Sequence, residues 1–473
     1  MLRRIFWLAL AVGFYLAPAV AQDCGSAADS SKVGCTLANT YGVGGLSNGA
    51  ALAPTPNGHQ GHFADSFLSN LQALNSSIGS ELGELPQVSP SSGISFAFNP
   101  SLGIVAPSQY NFGPILSEPA STLGKHRLLV GFSFQDFDFT SLDGIKLNSL
   151  PAVYTHEDYQ LTPSSLCSVN GGTASSTLNE GACGFVRDTI VTQDNINFRL
   201  NQYTAFVNFG VTDRLDISVA VPSVNVRMAV TSTVQIHNNG LDNLHQFSGC
   251  SCFNGTFLNV TGASGIGDVT LRGKYEVFRG ERTGIAVGGD IRFPSGDALN
   301  YLGSGAYAIR PFGALSHNFG SRVSAHVNLG YEWNGRSYLA GNITPPPGTS
   351  PSKALLPQQV FYSVGAEFGV YRRLSAAADY IGQYFWRAPL IAASTYQELP
   401  GCVTSACTAF NAAGAVDANS RSYIGSYTTA KTAVGFRYRL FNEFVLTANV
   451  LIQLNDTGLR SHFVPLFGLS YSH

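Results

Sequence analysis

The chain has 473 residues, room for two or three soluble domains, yet only 12% of them are charged where a soluble globular chain carries about 25%. Its net charge of −2 offers no field for nucleic acid, and past the N-terminus no uncharged apolar run is long enough for a membrane-spanning helix. Hydrophobicity that is high on average but never sustained must be spread in alternation, and in a bilayer the non-helical structure that satisfies every backbone group is a closed β-barrel.

In chain order, Met1 to Arg4 is a short basic start, Ile5 to Leu16 is an apolar run, and Pro18 precedes Ala19, Val20 and Ala21. This is the pattern of a secretory signal peptide over residues 1–21, cleaved before Gln22. Residues 22–126 follow as an N-terminal segment. Phe63, Phe67, Leu71, Leu74, Ile78 and Leu82 recur at helical spacing and predict an amphipathic helix over 62–85. Residues 94–98 and 102–105, around Asn99, Pro100 and Ser101, predict a small hairpin. The segment either plugs the barrel lumen or stays beneath it as a periplasmic tail.

Residues 127–473 read as a transmembrane antiparallel β-barrel. In 268–277 the charged set Asp268, Arg272, Lys274 and Glu276 falls on one face, against Val269, Leu271, Gly273, Tyr275 and Val277 on the other. The stretches 285–293, 323–333 and 444–454 alternate in the same way. Twelve strands are predicted, at 127–139, 188–211, 214–236, 266–278, 283–294, 306–319, 322–334, 358–371, 374–387, 425–439, 443–456 and 459–472; a count of fourteen stays open. Short polar turns near 213, 280, 321, 372 and 442 alternate with long connections near 140–187, 237–266, 294–305, 335–357 and 388–424, the pattern of periplasmic turns and outer loops. The parity of the two longest strands changes near Gln202 and Pro222, which predicts either bulges or strands that continue above the membrane.

The eight cysteines (Cys24, Cys35, Cys167, Cys183, Cys250, Cys252, Cys402 and Cys407) all lie in Gly/Ser/Asn-rich stretches. In an exported chain they are disulfide candidates that pin loops, not metal ligands. Cys250 and Cys252 are too close in sequence for an easy bridge, so their partners are expected in other loops. The residues expected to line the lumen are Asp216, Arg227, Asp268, Arg272, Lys274, Glu276, Asp290, Arg292, Arg310, Phe312, Glu332, Phe361, Glu367, Asp379, Phe385, Lys431, Arg437 and Arg439. Their charges nearly cancel, which argues against strong ion selectivity. Catalytic signals are weak. Ser316 and His317 are sequence neighbours and point to opposite faces, while His326 and His462 face inward without an evident nucleophile. No enzyme, cofactor or metal is expected.

The stretch 265–333, with GIGDVTLRGKY, FPSGD, LGSGAYAIRPFGALSHNFG and NLGYEW, resembles the outer-membrane transporter family named for the meta-pathway of phenol degradation. That family is itself similar to outer-membrane channels for fatty acids and aromatic hydrocarbons. The resemblance implies passive passage of small hydrophobic or aromatic compounds through the outer membrane of a Gram-negative-type bacterium, with an N-terminal plug. The partners it implies are outer-membrane lipid, a small apolar solute and the barrel-insertion machinery, for which Phe467, Leu469 and Tyr471 supply the alternating C-terminal signal. The competing reading is a structural or surface-interaction barrel with disulfide-tied extracellular loops and no open pore.

Overall fold

A computed structural model describes residues 23–43, 46, 51–53, 63–64, 66–84, 96–99, 104–107, 112, 116–156, 188–239, 245–250, 252–345, 349–398, 414–441 and 443–473. The expected signal peptide, Cys167, Cys183, Cys402 and Cys407 lie outside these residues. Among them no helix is long and apolar enough to cross a membrane.

Twelve antiparallel strands form the wall: β1 Leu128–Leu142, β2 Thr189–Gly210, β3 Leu215–His237, β4 Asn254–Ile266 continuing as Val269–Arg279, β5 Thr283–Phe293, β6 Ala308–Asn318, β7 Val323–Asn334, β8 Gln358–Tyr371, β9 Leu374–Gln397, β10 Val416–Arg439, β11 Phe444–Gln453 and β12 Leu459–Ser461 continuing as Phe463–Ser472. Each strand pairs with its neighbours in sequence. β12 returns to β1, from Ser472 opposite Leu129 to Leu466 opposite Gln135, so the sheet has no open edge.

Three strands run well beyond their predicted ends, since β4 starts at Asn254, β9 reaches Gln397 and β10 starts at Val416. β2 and β3 explain why. Their ladder runs from Gly210 opposite Asp216 to Thr189 opposite His237 with no register shift, so no bulge lies at Gln202 or Pro222. The strands keep the same side facing inward throughout, and it is the chemistry of the two faces that exchanges. In the lower half of β3, Asp216 and Ser218 are buried while Ile217, Val219 and Val221 are exposed; in the upper half, Val224, Val226, Met228 and Val230 are buried while Asn225 and Arg227 are exposed. The lower barrel is apolar outside because lipid surrounds it. The upper barrel stands in water and is apolar inside.

The lipid-facing band includes Phe132, Val207, Ile217, Val287, Leu315, Val327, Val364, Phe436 and Leu469, all exposed. Aromatic residues border it below at Phe209, Phe278, Phe319, Tyr371 and Phe441. Above, Tyr331, Trp333, Tyr384 and Trp386 form one cluster with ring centroids 4.6–5.8 Å apart. From Val323 to Trp333, ten steps of about 3.3 Å tilted by about 40° rise about 25 Å, the height of an outer-membrane apolar band.

Inside the upper barrel lies α1, Ser66–Glu84, close to its predicted span. Residues 73–82 are buried, and Gly79 lets the helix approach Leu339 and Leu356, atoms of which lie 3.1–3.3 Å from where a Cβ would stand. The short strands Phe96–Asn99 and Ile104–Pro107 pair as the predicted hairpin.

Candidate functional site

The lumen is filled from two sides. From below, residues 112 and 116–123 follow the inner wall strand by strand, as a strap. Arg437 on β10 donates to the Phe112 carbonyl at 2.6 Å. Asp379 on β9 accepts from the Leu116 amide at 2.7 Å and the Ser117 hydroxyl at 2.6 Å. Asn328 on β7 exchanges hydrogen bonds with both the amide and the carbonyl of Glu118, at 2.7 and 2.8 Å. Ser316 on β6 accepts the Ala120 amide, and Asp216 on β3 accepts the Leu123 amide. From above, α1 meets the wall through Glu81, 3.0 Å from Lys431.

Between strap and helix the wall carries an ion-pair network. Asp290 on β5 lies 2.6 Å from both Arg272 and Arg310, because the register puts Arg272, Asp290 and Arg310 side by side on β4, β5 and β6. Arg310 also approaches Glu332 at 3.8 Å, and Arg292 approaches Glu332 at 3.2 Å. Glu118 of the strap joins the network at 2.7 Å from both Arg272 and Lys274, and Lys274 donates further to the carbonyls of Pro119 and Ser121. Beside this network lies a cavity of about 120 Å³ bordered by these charges, by Leu116, Ile381 and Leu451, and by the rings of Phe312 and Phe361. Each ring lies under a guanidinium, Arg272 over Phe312 at 5.2 Å and Arg310 over Phe361 at 5.0 Å.

Most other residues expected in the lumen also face it, in separate roles. Asp268 is buried and accepts from the amides of Gly296 and Ser304, which pins the connection after β5. Glu276 bonds Thr122 and pairs with Arg279. Phe385 stacks on Tyr427 at 4.6 Å above the cavity, and Arg439 covers the Phe112 ring at 4.5 Å. Arg227 is a correction. An inward Arg227 requires a change of parity at Pro222, whereas the strand runs straight and Arg227 stands exposed on the outer side above the lipid band.

His326 is a second correction, for it does have a hydroxyl partner. Ser316 Oγ lies 2.8 Å from His326 Nδ1, and His326 Nε2 lies 3.1 Å from the buried Glu367 carboxylate, both within hydrogen-bond distance. The order hydroxyl–imidazole–carboxylate is that of a nucleophile, its base and an orienting group. Ser316 Oγ, however, is already engaged by the Ala120 amide and does not border the cavity, so the chain's visible work is to moor the strap to β6, β7 and β8. His317 turns the other way, onto Thr283 at 2.8 Å.

Of the cysteines, Cys24 and Cys35 are bonded and pack against Leu299 and Ile343. Cys250 and Cys252 are bonded to each other, not to other loops: the Phe247 amide donates to the Cys252 carbonyl at 3.0 Å and closes a tight turn that brings them together.

Residues 178–375 match a family described as "Putative MetA-pathway of phenol degradation". No curated protein matches the chain. Among solved structures, an outer membrane channel from Pseudomonas putida F1 shares 12% identity, covering 75% of this chain and 99% of its own, with a TM-score of 0.41. The toluene transporter TbuX of Ralstonia pickettii shares 10%, covering 82% and 99%, with a TM-score of 0.32. The toluene transporter TodX of Pseudomonas putida shares 10%, covering 81% and 96%, with a TM-score of 0.31. All three scores are below 0.5, too low to carry a solute or a mechanism across. The closed wall and its lipid band place the chain in the outer membrane of a Gram-negative-type bacterium. It is an outer-membrane β-barrel similar, over residues 178–375, to the family described as the putative MetA-pathway of phenol degradation.

Proposed function

We propose that this barrel is a passive outer-membrane channel for small hydrophobic or aromatic compounds, with the N-terminal segment 22–126 as its plug. The observation that carries the reading is the cavity between strap and helix, where two aromatic faces and three aliphatic side chains border paired charges. Its volume of about 120 Å³ is on the scale of an engineered cavity of about 150 Å³ that accepts benzene. A solute ring can take the place of a guanidinium over Phe312 or Phe361, while a hydroxyl on that ring finds the carboxylates and guanidinium groups nearby. The family's link to phenol degradation agrees with such a solute.

The strap is held by hydrogen bonds and ion pairs, which water can replace once it enters, and by the packing of Phe112 and Leu123 on Leu129, Phe206, Ala220 and Val445, whose burial displacement gives up. With no nucleotide outside the inner membrane, flow follows the solute's gradient. The filled lumen is equally what a closed surface barrel would show. Deleting residues 23–120 separates the two: the channel reading expects larger conductance in planar bilayers and faster liposome swelling with toluene or phenol. A truncated barrel that folds and conducts no more than the full chain would overturn it.

A further inference from the structure

The extracellular rim carries a second polar cluster, far from the lumen cavity. His237 ends β3, Glu398 follows β9, and Asp417 opens β10 opposite Tyr396. They meet because the long β9–β10 hairpin leans onto the rim of β2 and β3. Ser420 donates to the Pro151 carbonyl at 2.8 Å and Asn419 accepts the Val153 amide at 3.1 Å, on the strand Leu150–His156 that pairs with β2.

One ligand atom from each of the three side chains lies within 4.8 Å of the others. His237 Nδ1 is 2.6 Å from Glu398 Oε1, and both residues are buried. Thr189 donates to the same carboxylate, as does Asn239 Nδ2 at 3.2 Å. Behind them Asp188 accepts the Asn239 amide at 2.7 Å and meets His245 Nδ1 at 2.7 Å, which fixes the rim that presents His237. The buried Oδ2 of Asp417 has no hydrogen-bond donor. Two carboxylates thus lie beside one another, Glu398 buried and Asp417 partly so, and the inner oxygen of Asp417 has no donor. Buried charges in proteins are paired or coordinate metals.

We propose that His237, Glu398 and Asp417 bind a divalent transition-metal ion of the zinc type, which pins the β9–β10 hairpin to the β2–β3 rim. An imidazole beside two carboxylates suits such an ion better than calcium or magnesium, which take oxygen ligands alone. Tetrahedral bonds of about 2.0–2.2 Å put two ligand atoms of one ion about 3.3–3.6 Å apart, so on binding Nδ1 and Oε1 separate from 2.6 Å while the Asp417 carboxylate closes in. The three ligands come from the ends of three strands, one of them across the mouth, so the ion closes a contact that the hydrogen bonds already align. A solvent molecule completes the coordination.

The test uses the untagged full-length protein in detergent, with folding of every variant checked by the mobility of unboiled protein in SDS gels. After equilibration with Zn²⁺ and passage into metal-free buffer, the native protein retains stoichiometric zinc, whereas Glu398→Gln and Asp417→Asn do not. Co²⁺ gives visible ligand-field bands in the native protein that are lost in His237→Asn. Asn239→Ala, which removes a group orienting Glu398, weakens binding roughly 10–100-fold. Hydrogen exchange at residues 389–397 and 416–424 is slower with Zn²⁺ than with EDTA. Zinc that is not retained, or that these variants retain as well as the native chain does, overturns the proposal. So does hairpin protection that follows pH alone and ignores Zn²⁺.

Discussion

Arg310 and Arg227 are the same residue type on neighbouring regions of one wall, and their surroundings separate them. Arg310 faces the lumen, lies 2.6 Å from Asp290 and covers the Phe361 ring. Arg227 faces water above the lipid band, opposite Arg199 on β2 and Gly262 on β4. Truncating Arg310 leaves Asp290 with Arg272 alone and removes one of the two guanidinium groups near Glu332. Loss of one partner from a buried pair costs about 3–5 kcal/mol; because Asp290 keeps Arg272, Arg310→Ala is expected to cost roughly 1–3 kcal/mol. Arg227→Ala removes a solvated charge and is expected to stay within about 0.5 kcal/mol of the native chain. Urea unfolding in detergent, followed by the gel mobility of unboiled protein, measures both. Equal losses would place Arg227 in the lumen after all.

At the scale of the strand, the aromatic border of the cavity depends on glycines in the facing positions. Gly330 on β7 pairs with Phe361 on β8 and with Phe312 on β6, and a Cβ built on it would overlap the Phe361 ring. With glycine there the ring lies flat on the wall. Gly330→Ala should lift Phe361 into the cavity, at about 1–3 kcal/mol of strain, and slow liposome swelling with toluene. Adding Phe361→Leu removes the overlapping ring and should restore the swelling rate; a double variant as slow as Gly330→Ala would locate the constriction elsewhere. How far such detail can be read from sequence depends on what surrounds the strand. Within the membrane, lipid on one side and polar groups on the other impose a period of two, so the lower strands and Asp216, Asp290, Glu332 and Asp379 were legible from alternation. Above the membrane the same backbone carries the inverse pattern. The exchange in β3 therefore read as a change of parity and misplaced Arg227, while the Gly/Ser/Thr-rich start of β4 read as loop. The strap was illegible for a different reason: its hydrogen bonds come largely from backbone amides, which carry no side-chain signal. The pairing of Ser316 with His326 was within reach, since the turn at Gly320 puts Asn318 opposite Ser324 and hence Ser316 opposite His326.

On the scale of the whole molecule the barrel has two storeys. The upper one holds its own apolar core, with Phe139, Phe198, Val226, Met228 and Ile236 packed together with α1 residues such as Leu74 and Ile78. The lower one holds a smaller apolar cluster, in which Phe112 and Leu123 of the strap pack on Leu129, Phe206, Ala220 and Val445, and the rest of its lumen is occupied by charge and by the strap. The two storeys should therefore respond differently to loss of the strap. Glu118 is the side chain that ties the strap to the wall network, at 2.7 Å from both Arg272 and Lys274. In Glu118→Ala, Lys274 keeps the Pro119 and Ser121 carbonyls only while the strap remains in place, and Arg272 keeps Asp290. Lys274 then keeps Asp216 as its neighbouring carboxylate, but the loss of Glu118 from the charged network favours water in the lower lumen, and water there competes for every other hydrogen bond the strap makes. Conductance should rise above that of the native chain, approaching that of the 23–120 deletion, while the folded wall still migrates as a compact band in unboiled gels because no wall hydrogen bond has been touched. Loss of the Glu118 carboxylate also predicts a sign for the ionic response: high salt, which weakens the strap's ion pairs, should raise the native chain's conductance by more than bulk conductivity accounts for and leave the variant's nearly proportional to it. A Glu118→Ala barrel that folds and conducts no better than the native one would mean that α1, and not the strap, closes the passage.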